Sequence, residues 1–304
     1  MIGFCEVAMF FYYLYERKVI SDLLLFNIPL SNTIYSSPDI VIHHGDINEK
    51  YRSAKPGIYT GQNFGLVKAT YGTISITGGN EIIYEINKGF DAESITPYIM
   101  GWATAIVLTQ SGHSAFHCSA LERNNQCFFV SGISGAGKST TALELIKHGC
   151  KYLCDDIAIV ESYEDMLISP AYPIQKVCTD ISSKLDADKL YSISNDRGKS
   201  SYLNISDYCN TPKRLKTLFK LEFNDGDHVE IREITGINKF KRLLECLFLG
   251  IIYAYSDIPE SEKFRCLKIA GNIRLFTISR PKNINTLNEI TDNILRILDE
   301  QENY

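Results

Sequence analysis

The chain has 304 residues, of which 45% are hydrophobic and 22% are charged, and its formal net charge is −5 at pH 7. This is the composition of an ordinary globular protein, long enough for two modest domains or one elaborated domain. A negative charge without a local lysine- or arginine-rich run excludes general attraction to nucleic acid or to an anionic membrane. Nine scattered cysteines, without a C-x-x-C pair, predict reduced thiols in a cytoplasmic protein rather than disulfides or a zinc site.

Residues 1–93 are predicted to form a β-rich N-terminal region. The alternating run Gly72–Thr77, a turn over residues 78–80 and the apolar stretch Glu81–Tyr84 are typical of a β-hairpin. The apolar run Val7–Leu14 is too short to cross a bilayer and lacks the basic residues that open a signal peptide. We therefore interpret it as a core strand, and the sequence predicts no membrane partner.

Residues 94–304 are predicted to form a second domain of the mixed α/β class. It opens on an amphipathic helix over Ile95–Gln110, after which strands and helices alternate without an internal repeat. The run Leu243–Tyr255 is predicted to be a single buried helix, because its apolar residues share one helical face. The apolar spacing over Ile284–Leu298 predicts a final helix.

The most informative motif is the G-x-x-x-x-G-K-[ST] sequence at Gly132–Ser139. A strand-like run, Cys127–Val130, precedes it, and helical spacing over Ser139–Lys147 follows it, so the motif has the flanks of a phosphate-binding loop. Lys138 is predicted to reach the β and γ phosphates of a nucleoside triphosphate, and the Ser139 hydroxyl to bind Mg²⁺. The residues predicted to contact the nucleotide are Gly132, Ser134, Gly135, Ala136, Gly137, Lys138, Ser139 and Thr140.

Two adjacent carboxylates, Asp155 and Asp156, lie between the apolar runs Tyr152–Cys154 and Ile157–Val160. Carboxylates in such a position need charged partners, and Mg²⁺ and Lys138 are the obvious ones. One carboxylate could assist Mg²⁺ while the other accepts a proton from a hydroxyl nucleophile, which is what a phosphotransferase requires. The alternative is a surface turn whose acidic side chains are only solvated.

The polar segment Ser192–Ser201 also has two interpretations. It contains Arg197 and Lys199 and almost no apolar residues, which is typical of an exposed loop. Such a loop could close over the site, with Arg197 or Lys199 stabilising the transferring phosphoryl group. It could equally be a solvated connection. His117, a lone histidine beside Phe116, likewise has two interpretations: it is either a residue of the site or a packed residue of the core.

Together these residues resemble a known family. The loop, its helix, the aspartate pair and the upstream segment Phe116–Ala120 are similar to the catalytic core of HPr kinase/phosphorylase. More closely, they resemble the HPr-kinase-like enzymes that phosphorylate lasso peptides. The resemblance implies ATP and Mg²⁺ as cofactors, Asp155 as the proton acceptor, Asp156 as the metal or lysine partner, and His117 beside the site. The glycine-rich signature that follows the core in true HPr kinases is missing, which leaves HPr recognition and phosphorolysis open.

The sequence therefore predicts an ATP-dependent kinase that phosphorylates a Ser or Thr hydroxyl of a peptide or small protein, such as a ribosomally made precursor peptide. Two alternatives stay open: a small-molecule hydroxyl kinase that resembles free-serine kinases, and a regulator that binds the nucleotide without transferring phosphate. Asp155 separates these classes, because a sensor has no use for a proton acceptor. Whether the chain forms a homo-oligomer is also open.

Overall fold

The computed structural model describes residues 8–178, 191–196, 199–203 and 206–300, and gives only the backbone for 176–178, 191–196 and 199–203. The chain divides into two compact units, Met1–His113 and Ser114–Tyr304. Both combine strands with helices, so the predicted α/β class is confirmed. The sequence placed a boundary after residue 93; in the structure the helical segment that follows this point groups with the N-terminal unit.

The N-terminal unit is built on one mixed sheet. Its strands are β1 (Phe10–Leu14), β2 (Arg17–Ser21), β3 (Ile40–His44), β4 (Gly57–Thr60), β5 (Phe64–Ala69), β6 (Gly72–Thr77) and β7 (Glu81–Ile86). They lie in the order β1-β2-β3-β7-β6-β5-β4, and β3 is parallel to both of its neighbours. The predicted hairpin is the antiparallel pair β6–β7, and the predicted N-terminal core strand contains β1.

Helices complete this unit. A short helix, α1 (Glu49–Arg52), precedes β4. The predicted helix over Ile95–Gln110 is observed as α2 (Ala92–Tyr98), a π-helical turn (Ile99–Ala103) and α3 (Thr104–Gln110). The Asp91 carboxylate caps α2 by accepting a hydrogen bond from the Ser94 N–H at 3.0 Å. Pro97 lies inside α2 and lacks an N–H donor, which accounts for the irregular turn that follows.

The second unit has a mixed eight-stranded sheet. Its strands are β8 (Ser114–Arg123), β9 (Gln126–Gly132), β10 (Lys151–Cys154), β11 (Ile157–Ser162), β12 (Leu167–Ile168), β16 (Lys213–Asn224), β17 (Glu230–Ile234) and β18 (Arg274–Pro281). β9 lies between β8 and β16, and it is parallel to β16, which is parallel to β18. β10 is antiparallel to β8, as β9 is, so β9, β10, β16 and β18 all end at the same edge of the sheet.

The second unit also contains helices, not all of which contribute buried side chains. They are α4 (Lys138–Lys147), α5 (Gly236–Leu244), α6 (Gly250–Tyr253), α7 (Glu260–Asn272) and α8 (Leu287–Glu300), the last of which confirms the predicted final helix. α4 and α8 share one apolar cluster with the central strands, which includes Leu121, Phe128, Val130, Leu145, Phe219, Leu221, Ile278, Ile290 and Ile294. The cysteines whose side chains are described are buried free thiols. No helix within the described ranges is long and apolar enough to span a membrane.

The prediction of one buried helix over Leu243–Tyr255 is wrong. α5 ends at Leu244, and the next residues run beside the start of β8. The His117 N–H donates to the Cys246 carbonyl, and the Phe248 N–H donates to the Ala115 carbonyl, both at 2.8 Å. These strand-like bonds satisfy backbone groups that a continuous helix would have paired internally, and only the short α6 follows.

Ser192–Ser201, predicted to be an exposed loop, has strands on the part of its backbone that the structure describes. β14 (Tyr191–Asp196) pairs with β15 (Lys199–Leu203), which also pairs with β13 (Ile174–Cys178), giving a small antiparallel sheet. Backbone pairing on both sides of β15 outweighs the polar composition of the segment. Arg197 and the side chain of Lys199 lie outside the described residues, so their predicted role is neither supported nor contradicted.

Candidate functional site

The loop between β9 and α4 has the backbone that the motif requires. The Ala136 N–H donates to the Ile133 carbonyl at 3.1 Å, which closes a tight turn. A Cβ atom added to Gly132 would lie 2.5 Å from the Leu221 carbonyl oxygen of β16, closer than any side chain tolerates. Gly137 has φ = 102°, a conformation that L-residues rarely adopt, immediately before α4. Glycine at both positions is therefore needed for this loop shape.

Lys138 folds back along the loop. Its Nζ atom donates to the carbonyls of Gly132 at 2.8 Å and Ile133 at 3.3 Å, so the ammonium group stays over the loop that precedes it. Ser139 and Thr140 follow in the first turn of α4 and are half-buried, whereas Ser134 and Gly135 are exposed. The N-terminus of a helix contributes partial positive charge and unpaired N–H groups, which favour a bound anion.

The two aspartates follow β10 at the same edge of the sheet as the loop. Asp155 accepts a hydrogen bond from the Ser119 hydroxyl at 2.8 Å. The Nδ1 atom of His117 is 3.1 Å from the carbonyl oxygen of Asp156 and 3.3 Å from its carboxylate Oδ1. Both aspartates are half-buried, and both are held by residues of β8 rather than left to solvent.

Lys138, Asp155 and Asp156 all act electrostatically on His117. Burial lowers the pKa of His117 below its ordinary value of 6.5. The Asp156 carboxylate acts to raise this pKa, and the positive charge of Lys138 lowers it further. The Asp156 carbonyl and the Asp155 carboxylate also act to raise it, but burial dominates. The imidazole is therefore neutral at pH 7. Because both nearby Asp156 atoms are acceptors, Nδ1 carries the proton and donates it. His117 thus contacts Asp156 from β8, the strand that lies beside β9 and the start of the phosphate-binding loop.

The donor set suits one kind of metal. Within the part of the chain that the structure describes, no three His, Cys, Asp or Glu side chains converge as a metal site would require. Mg²⁺ bound with a nucleotide takes most of its ligands from phosphate and water, so one or two protein oxygens suffice. Ser139 and Asp156, predicted as metal residues, supply oxygens of this type. Ser139 and Asp156 therefore fit a magnesium ion that is bound together with a nucleotide.

Two further residues of this site were missed from the sequence. Ser119, the partner of Asp155, belongs to the segment Phe116–Ala120, and its position two residues after His117 puts both on the same face of β8. Arg280 of β18 donates from Nε and Nη2 to the Ala136 carbonyl, at 3.2 and 3.1 Å. It lies 144 positions from Ala136 in the chain, and no local pattern indicates this contact.

Comparison with known proteins adds only a distant structural likeness. No family model matches the chain, and no curated protein sequence matches it. Among solved structures, the HPr(Ser) kinase/phosphatase from Coxiella burnetii is a distant likeness that covers 62% of this chain and 99% of that chain, at 12% identity and a TM-score of 0.33. A TM-score this low carries no argument about function, so the proposal below depends on the residues of this chain.

Proposed function

We propose that this protein is an ATP-dependent kinase, which binds Mg²⁺–ATP at Gly132–Thr140 and transfers the γ-phosphoryl group to a Ser or Thr hydroxyl of a peptide or small protein. One arrangement carries the proposal: Lys138 Nζ donates to the Gly132 carbonyl at the end of β9, and the neighbouring strand β8 carries the His117 and Ser119 side chains that contact Asp156 and Asp155. A loop that only turned the chain would need neither the lysine nor the carboxylates beside it.

The binding half of the proposal follows from the loop and the helix. Polyphosphate is bound by consecutive N–H groups, by the positive end of α4 and by the Lys138 ammonium group. The Lys138 Nζ atom donates to the Gly132 and Ile133 carbonyls, and a β- or γ-phosphate oxygen would be a stronger, charged acceptor for the same donor. Ser139 and Asp156 would hold Mg²⁺, which would supply positive charge that offsets the charge of the phosphates.

The transfer half follows from the carboxylates. Phosphoryl transfer needs neutralisation of the charge on the phosphate oxygens and a group that receives the proton of the nucleophile. Asp155, oriented by Ser119, is assigned the second task. Asp156, in contact with the neutral His117, would hold the Mg²⁺ that performs the first task together with Lys138. His117 is a positioning residue in this scheme. The family resemblance supports a peptide acceptor, and the same chemistry would serve a small alcohol.

Asp155→Asn tests the proposal, because the amide keeps the shape of the side chain and removes the base. The full chain is incubated with ATP, Mg²⁺ and serine-containing peptides or free serine, and mass spectrometry follows the added phosphoryl group. We expect transfer to fall by roughly 10²–10⁴-fold while ATP still binds. Asp165→Asn, an exposed aspartate, is the matched control and should leave transfer unchanged.

Each alternative has its own outcome in this experiment. Transfer that survives in Asp155→Asn but is lost in Asp156→Asn would exchange the roles of the two aspartates, and transfer that survives in both would remove the pair from catalysis. Free serine phosphorylated more efficiently than any peptide would favour the small-molecule kinase. ATP binding without transfer to any acceptor would favour the nucleotide sensor.

A further inference from the structure

Arg280 contacts the phosphate-binding loop from a strand that is not adjacent to it. β18 is separated from β9 by β16, yet the Arg280 guanidinium group donates twice to the Ala136 carbonyl, at 3.2 Å from Nε and 3.1 Å from Nη2. Ala136 is only 1% exposed, so its carbonyl oxygen has little access to water. Arg280 therefore satisfies an acceptor that would otherwise be costly to bury.

The guanidinium group is itself held in place. Phe223 of β16 is the register neighbour of Arg280, and its ring lies 4.7 Å below the guanidinium carbon. Nη1 donates to the Pro281 carbonyl at 3.3 Å. Stacking on an aromatic face and a third hydrogen bond restrict a side chain that is otherwise flexible. Residues of β16 and β18 therefore hold Arg280 in the position from which it contacts the loop.

This contact fixes the direction of one backbone donor of the loop. In a planar trans peptide the carbonyl and the following N–H point in opposite directions. Because the Ala136 carbonyl is directed at Arg280, the N–H of Gly137 must be directed away from it. A Cβ atom at Gly137 would lie 3.5 Å from the Arg280 Nη2 atom, which shows how closely the arginine borders this peptide.

We propose that Arg280 is the positioning residue of the phosphate-binding loop, and that it holds the loop in its binding shape before the polyphosphate of a nucleotide arrives. The inference rests on the proposed function and adds to it a residue that acts on affinity rather than on transfer. An ordered loop loses less conformational entropy on binding, so its affinity is higher. Arg280 is charged at every physiological pH, so its hydrogen bonds to the loop come from a charged donor throughout that range.

The test compares Arg280→Met with Arg274→Met. Arg274 is at the other end of β18, its guanidinium carbon also lies 4.7 Å from a phenylalanine ring, that of Phe276, and it pairs with Glu233 instead of the loop. Binding of Mg²⁺–ADP and Mg²⁺–ATP is measured by calorimetry. We expect Arg280→Met to bind both nucleotides about tenfold more weakly, the scale of a hydrogen bond from a charged donor. Arg274→Met should bind like the wild type, and Arg280→Lys should recover part of the loss.

Steady-state kinetics give the second readout, because a positioning residue raises the KM for ATP and leaves kcat at saturating ATP unchanged. A lowered kcat at unchanged affinity would mean that Arg280 acts on the transferring group. Wild-type affinity in Arg280→Met would mean that the loop does not need Arg280. Either result overturns the proposal.

If Arg280→Met does not fold, the binding and kinetics of Arg280→Lys decide. Failure of both variants to fold would show that Arg280 is required for the fold as a whole, which also overturns the proposal. A wild-type chain that binds no nucleotide would instead refute the proposed function itself.

Discussion

Asp156 shows how the site retains an unfavourable backbone conformation. Its φ is 79°, in the left-handed region that residues other than glycine rarely occupy. A backbone in this region costs about 1–3 kcal/mol of stability. The Nδ1 atom of His117 contacts both the carbonyl and the carboxylate of this residue, and the Ser119 hydroxyl holds its neighbour Asp155. Strain that is maintained by specific partners is typical of functional sites, which agrees with a catalytic role for this pair.

Gly132 and Gly135 offer a matched pair of substitutions in the loop. Both have positive φ, but only at Gly132 would a Cβ atom meet backbone, 2.5 Å from the Leu221 carbonyl oxygen, whereas a Cβ atom at Gly135 meets nothing within 4 Å. We expect Gly132→Ala to lower the free energy of unfolding by about 1–3 kcal/mol more than Gly135→Ala does, because the alanine must displace β16 or the loop. Urea unfolding measures both variants, and equal losses would show that the sheet yields to the extra methyl group.

Lys220 and Glu245, which lie outside the proposed catalytic site, make the stability of the fold depend on pH. Lys220 is 7% exposed and pairs with Glu245, which also accepts a hydrogen bond from Arg242 at 3.1 Å. Burial would raise the pKa of Glu245, but the hydrogen bonds and charges of Lys220 and Arg242 outweigh it and hold that pKa below its ordinary value of 4.5. The carboxylate therefore stabilises the fold above pH 4.5, and this contribution is lost as the pH falls through the lowered pKa.

Glu245→Gln measures this contribution. Half of the Glu245 side chain remains in water, so we expect a loss of only about 1 kcal/mol in the free energy of unfolding at neutral pH. The difference from the wild type should shrink as the pH falls below 4.5 and disappear once the pH lies well below the lowered pKa of Glu245, because both side chains are then neutral. Urea unfolding at several pH values checks this, with the exposed Glu164→Gln as control. A difference that persisted at low pH would show that the effect is steric rather than electrostatic.

Residues in one linear motif could be predicted from the sequence, and residues joined only by the sheet could not. The residues of Gly132–Ser139 are contiguous in the chain, and so are Asp155 and Asp156. Spacing and apolar flanking runs are therefore enough to predict both groups. Arg280 reaches the loop from β18, and the pairing of β18 with β16, and of β16 with β9, is not encoded near the loop. The family resemblance, rather than any pattern, pointed to His117.

At the scale of elements, the loop depends on the core beneath α4 and α8. Ile294 of α8 is fully buried in the cluster that also contains Leu145 of α4 and Phe219 of β16. Ile294→Ala should reduce the free energy of unfolding by about 2–5 kcal/mol, since a large side chain is removed from a packed interior. Ile284→Ala removes the same atoms from a half-exposed position before α8 and should cost much less. Thermal unfolding distinguishes the two, and similar losses would mean that α8 is loosely packed.

Two elements differ from their sequence patterns for a common reason. The apolar periodicity over Leu243–Tyr255 favours a helix, but Cys246–Phe248 finds backbone partners on β8. The polar composition of Ser192–Ser201 favours a loop, but β15 finds partners in both β13 and β14. Pairing between distant strands contributes backbone hydrogen bonds that local composition does not reveal. The β9–loop–α4 unit, in contrast, has its partners nearby in the chain and was predicted with nearly its observed bounds.

At the scale of the whole molecule, all site residues whose side chains the structure describes belong to the unit Ser114–Tyr304. This unit brings together the carboxyl ends of β9, β10, β16 and β18, which is where open α/β sheets commonly bind ligands. The α/β class and the N-terminal hairpin could be predicted from the sequence, because both follow from the local periodicity of apolar residues. The order of strands in the sheet depends on contacts between segments far apart in the chain.

Binding of Mg²⁺–ATP to the full chain, measured by calorimetry for the wild type, Lys138→Ala and Lys147→Ala, tests the central claim most directly. Lys138 and Lys147 begin and end the same helix, but only Lys138 lies over the loop, while Lys147 pairs with Glu144 on the surface. We expect saturable binding to the wild type and to Lys147→Ala, and binding at least about tenfold weaker to Lys138→Ala, because a charged donor to phosphate is lost. A wild type that does not bind, or a Lys138→Ala variant that binds equally well, would contradict the account.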